Sequence, residues 1–380
     1  MKRKLVGLVL GWMVATGALY AQEESFRFSG QLSGWGGYSP DRSAEVLFGA
    51  RYIPQLNIEK AFKKERLLDG EVSAHLLGTA DFYAMEDVLW QGRIKPYRLW
   101  MRYSTRQMEI RAGLQKINFG SAMMFRPLMW FDKMDPRDPL QMTDGVWGGL
   151  FRYYFLNNTN VWLWMLLGND DPKGWELFPS DKQRPELGGR LQWPLAKGEM
   201  AMSYHFRQVD MVTYLPININ KERRSEHRVG FDMKLNLAVG LWVEGSWIHN
   251  NEKMSPFANQ TMLTVGTDYT LPVGNGLAVT FEQMVYDMGN KAFSFENTLT
   301  FSGLSFSYPV GIFDTLQYMA YYDWKQRGTY NFVNWQRQYN TWAFHLMGYW
   351  NPQADNASQI ALGNNGFGGK GLQVMIVWNH

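Results

Sequence analysis

The sequence predicts an all-β protein, a closed antiparallel transmembrane barrel of about 18 strands, or about 16 if weak segments merge. Three observations predict it. Apolar and polar residues alternate with a period of two from one end of the chain to the other. Aromatic residues make up 16% of the chain, yet beyond residue 20 no apolar run is long enough for a membrane-spanning helix. Short turns and long polar loops also succeed one another along the chain, the pattern of a barrel with one tight rim and one loose rim.

The alternation is clearest over 227–237. Val229, Phe231, Met233, Leu235 and Leu237 share one face, and Arg228, Gly230, Asp232, Lys234 and Asn236 share the other. Over 107–115, Met108, Ile110, Ala112 and Leu114 oppose Glu109, Arg111 and Gln115. Over 199–207, Met200, Met202, Tyr204 and Phe206 oppose Glu199, Ser203, His205 and Arg207. A soluble sandwich alternates too, but its strands are usually shorter. These run to about ten residues, with charges in mid-strand opposite large apolar residues, which suits a tilted strand with lipid on one side and water on the other.

In order, the predicted strands are 25–36, 47–61, 70–84, 93–104, 107–117, 147–156, 159–168, 185–195, 198–208, 226–237, 239–250, 259–271, 276–287, 295–307, 311–324, 329–337, 340–350 and 369–379. The segment 329–337 carries the weakest pattern. Long polar connections are expected at 37–46, 85–92, 118–146, 169–184, 209–225, 250–258, 288–294 and 351–368. The short rim would face the periplasm and the long rim the outside.

Lys2, Arg3 and Lys4 precede an apolar run from Leu5 to Tyr20, which predicts a secretory signal peptide over 1–21 and a single barrel domain over 22–380. Without the three leader cations, the formal net charge of +3 falls to near zero, which excludes nucleic acid as a partner. The absence of cysteine excludes both disulfides and a lipid-modified cysteine.

The most unusual stretch is Phe119 to Gly149, too long for a simple turn. It carries Arg126, Asp132, Lys133, Asp135, Arg137, Asp138 and Asp144, with Pro127, Pro136 and Pro139 stiffening it. Two readings stand: a loop folded into the lumen that narrows a pore, or an outer loop solvated by its own charges. Asp132, Asp135 and Asp138 are spaced by three, which is not the spacing of a calcium-binding loop, and no metal is expected. On the inward faces fall Arg98, Arg102, Arg111, Arg152, Arg190, Arg207, Arg228 and Lys234, against Glu109, Glu199, Asp232, Glu244 and Glu282. An excess of one sign would favour solutes of the other. Cross-strand pairing of these charges is the competing expectation.

No histidine stands in an arrangement that declares a nucleophile, so no enzyme and no cofactor is expected; His205 and Ser203, two apart on one face, read as lumen lining. The tryptophans Trp90, Trp100, Trp130, Trp147, Trp162, Trp164, Trp193, Trp242, Trp247, Trp324 and Trp378 are expected mainly as a girdle at headgroup depth, with inward Trp100 or Trp242 able to stack on sugar rings.

The run RAGLQKINFG (Arg111–Gly120), followed by DPRDPL (Asp135–Leu140), is similar to a strand-then-loop segment of Gram-negative outer-membrane porin-like barrels of Bacteroidota type. The whole chain resembles porin and alginate-export-type barrels in pattern. The resemblance implies a channel for passive diffusion of small hydrophilic solutes, anions among them. Its partners would be a lipid bilayer, lipopolysaccharide and the solute, as a homotrimer or a monomer. Two alternatives remain: a polysaccharide-export or surface-anchoring barrel, and a structural or adhesive barrel with a filled lumen.

Overall fold

The computed structural model describes residues 24–41, 44–63, 65–83, 88–210, 224–250, 258–296, 298–352 and 367–380. The expected signal peptide and most of the predicted loops 209–225, 250–258 and 351–368 lie outside them. Eighteen strands form the fold: β1 (Glu24–Tyr38), β2 (Val46–Phe62), β3 (Arg66–Phe82), β4 (Val88–Ser104), β5 (Met108–Gln115), β6 (Val146–Tyr154), β7 (Asn160–Leu166), β8 (Glu186–Leu195) and β9 (Gly198–Val209) make the first half. The second half is β10 (Arg224–Asn236), β11 (Gly240–Asn250), β12 (Asn259–Leu271), β13 (Leu277–Gly289), β14 (Leu299–Pro309), β15 (Asp314–Asp323), β16 (Gly328–Gln338), β17 (Trp342–Trp350) and β18 (Lys370–Asn379).

Each strand pairs antiparallel with its sequence neighbours, and β1 pairs with β18, so the sheet has no free edge. Closure matters physically, because in hydrocarbon an unpaired N–H or C=O finds no water. The alternation sets the two faces: Val229 is 41% exposed on the outer surface of β10, whereas its neighbour Arg228 is 1% exposed on the inner one. Outward residues such as Ile94, Met101, Leu163, Met202 and Val265 give the ring a continuous apolar exterior.

The segment 329–337 is a full strand, β16, hydrogen-bonded on both sides. Other predicted bounds shift. β14 begins at Leu299 rather than 295, because Phe293 and Phe295 adopt left-handed φ of 57° and 54°. Asp287 also accepts the Phe295 amide at 3.2 Å, which turns the chain out of the sheet. β4 begins at Val88, and β5 ends at Gln115, just beyond Gly113, whose φ is +117°. One link on the long rim is tight: Asp323 caps the Lys325 and Gln326 amides at 2.8 and 3.1 Å, turning β15 directly into β16.

On the inner wall, four rings sit opposite a glycine of the next strand. Trp35 faces Gly49, Trp164 faces Gly188, Trp242 faces Gly266 and Tyr349 faces Gly371. A Cβ on any of these glycines would run into the ring. Each ring therefore lies along the wall instead of standing across the lumen.

His380 fastens the seam. Its backbone exchanges hydrogen bonds of 2.9 and 3.0 Å with Gly30, its ring lies 4.7 Å from Trp378 and 5.6 Å from Phe28, and its Nε2 meets the Tyr52 hydroxyl at 3.1 Å. Replacing His380 with alanine removes those ring contacts and one hydrogen bond, about 1–2 kcal/mol together. The barrel is expected to unfold several degrees lower in a heat-modifiability gel; an unchanged transition would show that the β1–β18 ladder closes without it.

Candidate functional site

Residues 116–145, between β5 and β6, reach across the interior to the far wall. Two inward carboxylates hold them there. Glu244 on β11 accepts the amides of Ser121, Ala122 and Leu128 at 2.7, 2.8 and 2.7 Å. Glu282 on β13 accepts those of Met123, Met124 and Phe125 at 2.6, 3.0 and 2.7 Å, and the Trp242 indole N–H at 3.0 Å. Five successive N–H groups thus converge on two carboxylates, an anion-binding run of backbone in which the anion belongs to the wall. The chain turns into this run at Gly120, whose φ is +102° and where a Cβ would strike the Glu244 carboxylate.

Apolar contacts complete the seat. Phe125 packs on Phe301 and edge-on to Tyr321, whose centroid is 5.5 Å away. Phe119 stacks on Trp164 at 5.9 Å, Phe131 meets His205 edge-on at 5.1 Å, and Trp130 donates to Ser246 at 3.0 Å. A second loop, 167–185, closes over the first: the Trp175 indole donates to the Arg126 carbonyl at 2.8 Å. Trp130, Trp164 and Trp242 are thus buried in the interior and are not girdle residues, because each packs against the inserted loop or its anchors. Trp100 and Trp162 also face inward, under Arg111 at 4.8 Å and Arg152 at 3.8 Å. Trp90, Trp147 and Trp324 are exposed on the outside.

The inward arginines are mostly paired. Arg102 grips Asp69 bidentately at 2.9 and 2.7 Å, while Arg111 and Arg152 approach Glu109 at 2.9 and 3.5 Å. Arg190 holds Asp232 at 2.5 and 2.9 Å and also donates to Ser203. Arg207 and Arg228 share Glu226 of β10 and Glu176 of the second loop. Arg98 instead donates to the Tyr97 and Thr143 carbonyls, tying down the far end of the inserted segment. Arg51 of β2 hydrogen-bonds to Ser33 at 3.3 Å. His205 accepts the Trp164 indole N–H at Nδ1, so Nε2 carries its hydrogen toward Glu186.

Within the loop, Arg126 contacts Asp132 at 3.4 Å and Asn118 more closely. Asp135 takes the Arg137 guanidinium at 2.9 Å, and Asp138 caps the Leu140 and Met142 amides at 3.0 and 3.3 Å. The three aspartates are spent on separate partners, and no grouping suited to a metal ion occurs among the described residues. Burial pushes the Asp132 carboxyl up, against the pull of Arg126 and Lys116. Asp144 is also raised by burial, but the Lys95 ammonium at 2.5 Å outweighs this and holds the carboxyl below its ordinary value. A depressed carboxyl contributes stability that is complete above its unfolded pKa and lost as pH falls through the folded one. The loop end at 144 should therefore stay tied at neutral pH and loosen only below about pH 4. Single-channel current is expected to grow noisy there; a trace equally quiet at lower pH would rule out this tie as the acid-sensitive element.

The inserted loop does not fill the ring. A cavity of about 600 Å³ lies between residues 133–142 and the wall of β1–β3, β17 and β18, with Trp35, Arg51, Asp138, Tyr349, Phe367 and Met375 on its sides. Glu176, Glu226, Trp175 and Trp35 were not singled out from sequence, although Glu226 continues the inward phase of Arg228 and Asp232 and was readable from it.

No family model and no curated protein matches the sequence. Solved structures share the fold. OccAB4 of Acinetobacter baumannii superposes with a TM-score of 0.57 at 8% identity, over 95% of this chain and 99% of that one. OccD3 of Pseudomonas aeruginosa gives 0.56 at 9% identity, over 94% and 92%. OmpT, an outer membrane protein of Vibrio cholerae solved in a trimer form, gives 0.52 at 9%, over 94% and 99%. The fold is that of Gram-negative outer-membrane porins.

Proposed function

We propose that this protein is a porin-like channel of the outer membrane, set in the bilayer with lipopolysaccharide around its long rim and its short rim in the periplasm, through which small hydrophilic solutes diffuse without a chemical step. One observation carries the reading: a loop held by wall carboxylates narrows the lumen yet leaves a cavity of about 600 Å³ with charged and polar groups along it. Residues 119–149 are the constriction. Arg51, which lines the cavity and makes no ion pair among the described residues, gives a mild preference for anions. A homotrimer accords with the trimer form of the Vibrio cholerae barrel.

Liposome swelling with sugars of increasing size tests it. Rapid swelling with monosaccharides and a cut-off at larger ones is expected; no swelling with any solute would sink the reading. Cation selectivity in a planar bilayer would remove the anion preference. The packing of residues 116–145 and 167–185 inside the ring favours a second reading, a structural barrel with a filled lumen, which predicts no steady current. The polysaccharide-export alternative needs free lumen arginines, and most are already paired.

A further inference from the structure

We infer that the outer wall of β2–β5 binds one anionic phospholipid of the periplasmic leaflet, with an acyl chain in a notch at Gly70 and the phosphate at Arg66. The inference rests on the orientation proposed above, short rim in the periplasm, and does not depend on whether the lumen conducts. Ile58, Gly70, Met101 and Ala112 lie side by side across four strands on the outward face. A Cβ at Gly70 would come within 2.9 Å of the Trp100 carbonyl oxygen, so the position stays bare between two larger neighbours. Leu68 and Val72 extend the notch along β3 and Leu99 extends it along β4, and together they border an apolar cavity of about 400 Å³. Glu59, Asp69 and Glu71 also border it, but they fall on the inward phase: Asp69 grips Arg102, and Glu71 accepts the Ser73 hydroxyl.

Surrounding hydrocarbon is as apolar as this cavity, so burial alone selects no lipid. The notch contributes close packing along a chain, and the choice among headgroups comes from charge. Arg66 continues the outward phase of Gly70 and Leu68 to the periplasmic end of β3, about 13 Å along the strand from the notch. Tyr103 does the same on β4, where it lies opposite Leu68 and has a hydroxyl to donate. Lys63 and Arg106 stand in the adjoining turns. Lys60 is matched in register by Glu24, which leaves Arg66, Lys63 and Arg106 against Glu65 among the described outward and turn residues at these strand ends. A surplus of cations at headgroup depth favours a lipid of net negative charge over a zwitterionic one. A phospholipid whose phosphate meets Arg66 has its acyl chain running up the wall toward Gly70.

Native mass spectrometry of the detergent-solubilised barrel, given equal amounts of phosphatidylglycerol and phosphatidylcholine, tests the site. Phosphatidylglycerol is expected to be retained at one per barrel, well above phosphatidylcholine. Arg66→Gln should cut that preference about fivefold, the worth of one cation at a membrane surface. Ala112→Trp, which fills the notch from the lipid-facing side, should lower retention of both lipids severalfold. Both substitutions change side chains on the outer face and leave the ladder in place, and an unchanged heat-modifiability gel shows that each variant is folded. Equal retention of the two lipids by the wild type, or retention unchanged in either variant, overturns the inference. So does a spectrum of lipid-free dimers or trimers that Ala112→Trp dissociates, because the notch then belongs to a second copy. Conductance measured on the same preparations keeps the two readings apart: current without retained lipid overturns the site and leaves the channel, and retained lipid without current does the reverse.

Discussion

Replacing Glu244 and Glu282 together by alanine is expected to raise single-channel conductance severalfold. Their carboxylates accept six backbone amides of the inserted loop, at 2.6–3.0 Å. Stranding a buried donor costs about 1–3 kcal/mol each, so the docked loop loses on the order of 6–18 kcal/mol of compensation. Against this stands the apolar seat of Met124, Phe125, Leu128 and Trp130, worth about 1.5–3 kcal/mol per side chain. The two totals are comparable, which is why both glutamates must go: with one removed, three amides are stranded and the seat still wins. Once both are gone, the loop satisfies its amides with water by swinging out, and the ring itself is untouched because its ladder does not use these side chains. The single variants should flicker between the wild-type and enlarged levels. Deleting residues 121–142 should reach the same enlarged level as the double variant. Currents equal to wild type in both would place the constriction elsewhere.

The ring was legible because the outward face obeys one rule everywhere, and a period of two survives even in the weak segment that became β16. Bounds failed where the same pattern ran past a strand. Phe293, Phe295, Leu299 and Phe301 keep one phase, but Asp287 captures the Phe295 amide and the chain leaves the sheet. The tryptophans were harder for a different reason. β7 reads Val161, Trp162, Leu163, Trp164, Met165, apolar on both faces, because its inner face packs against Phe119 and Phe131; no alternation remained to tell lumen from lipid. The loop's length was visible, and its destination was not. Phe125 is 157 residues from Glu282, and only the closed ring brings them together. The seating of the Trp35 ring on Gly49 needs the register of β1 on β2, which no local pattern specifies.

Replacing Glu226 with alanine is expected to cause the largest loss of stability of any single substitution in the wall. Arg207 and Arg228 are almost wholly buried, and between them Glu226 takes four hydrogen bonds of 2.5–3.1 Å. Glu176 is the other carboxylate within reach, so its removal and that of Glu226 leave the same net charge but different consequences. Glu226 projects from β10, and the ladder fixes both arginines where they are; deleting it leaves an uncompensated buried cation, at a cost of about 3–5 kcal/mol. Glu176 projects from the loop over the site. Deleting it lets the loop lift and admit water to the guanidiniums, so its cost should be smaller and should appear as loop protease sensitivity. Replacing Glu226 by leucine and Arg228 by methionine together removes the pair with its charges, which is commonly close to neutral. In a heat-modifiability gel, Glu226→Ala should unfold well below wild type, and the double variant should recover most of the difference. A Glu226→Ala barrel that melts with the wild type, or a double variant that melts as low as the single, would mean that water already reaches these arginines.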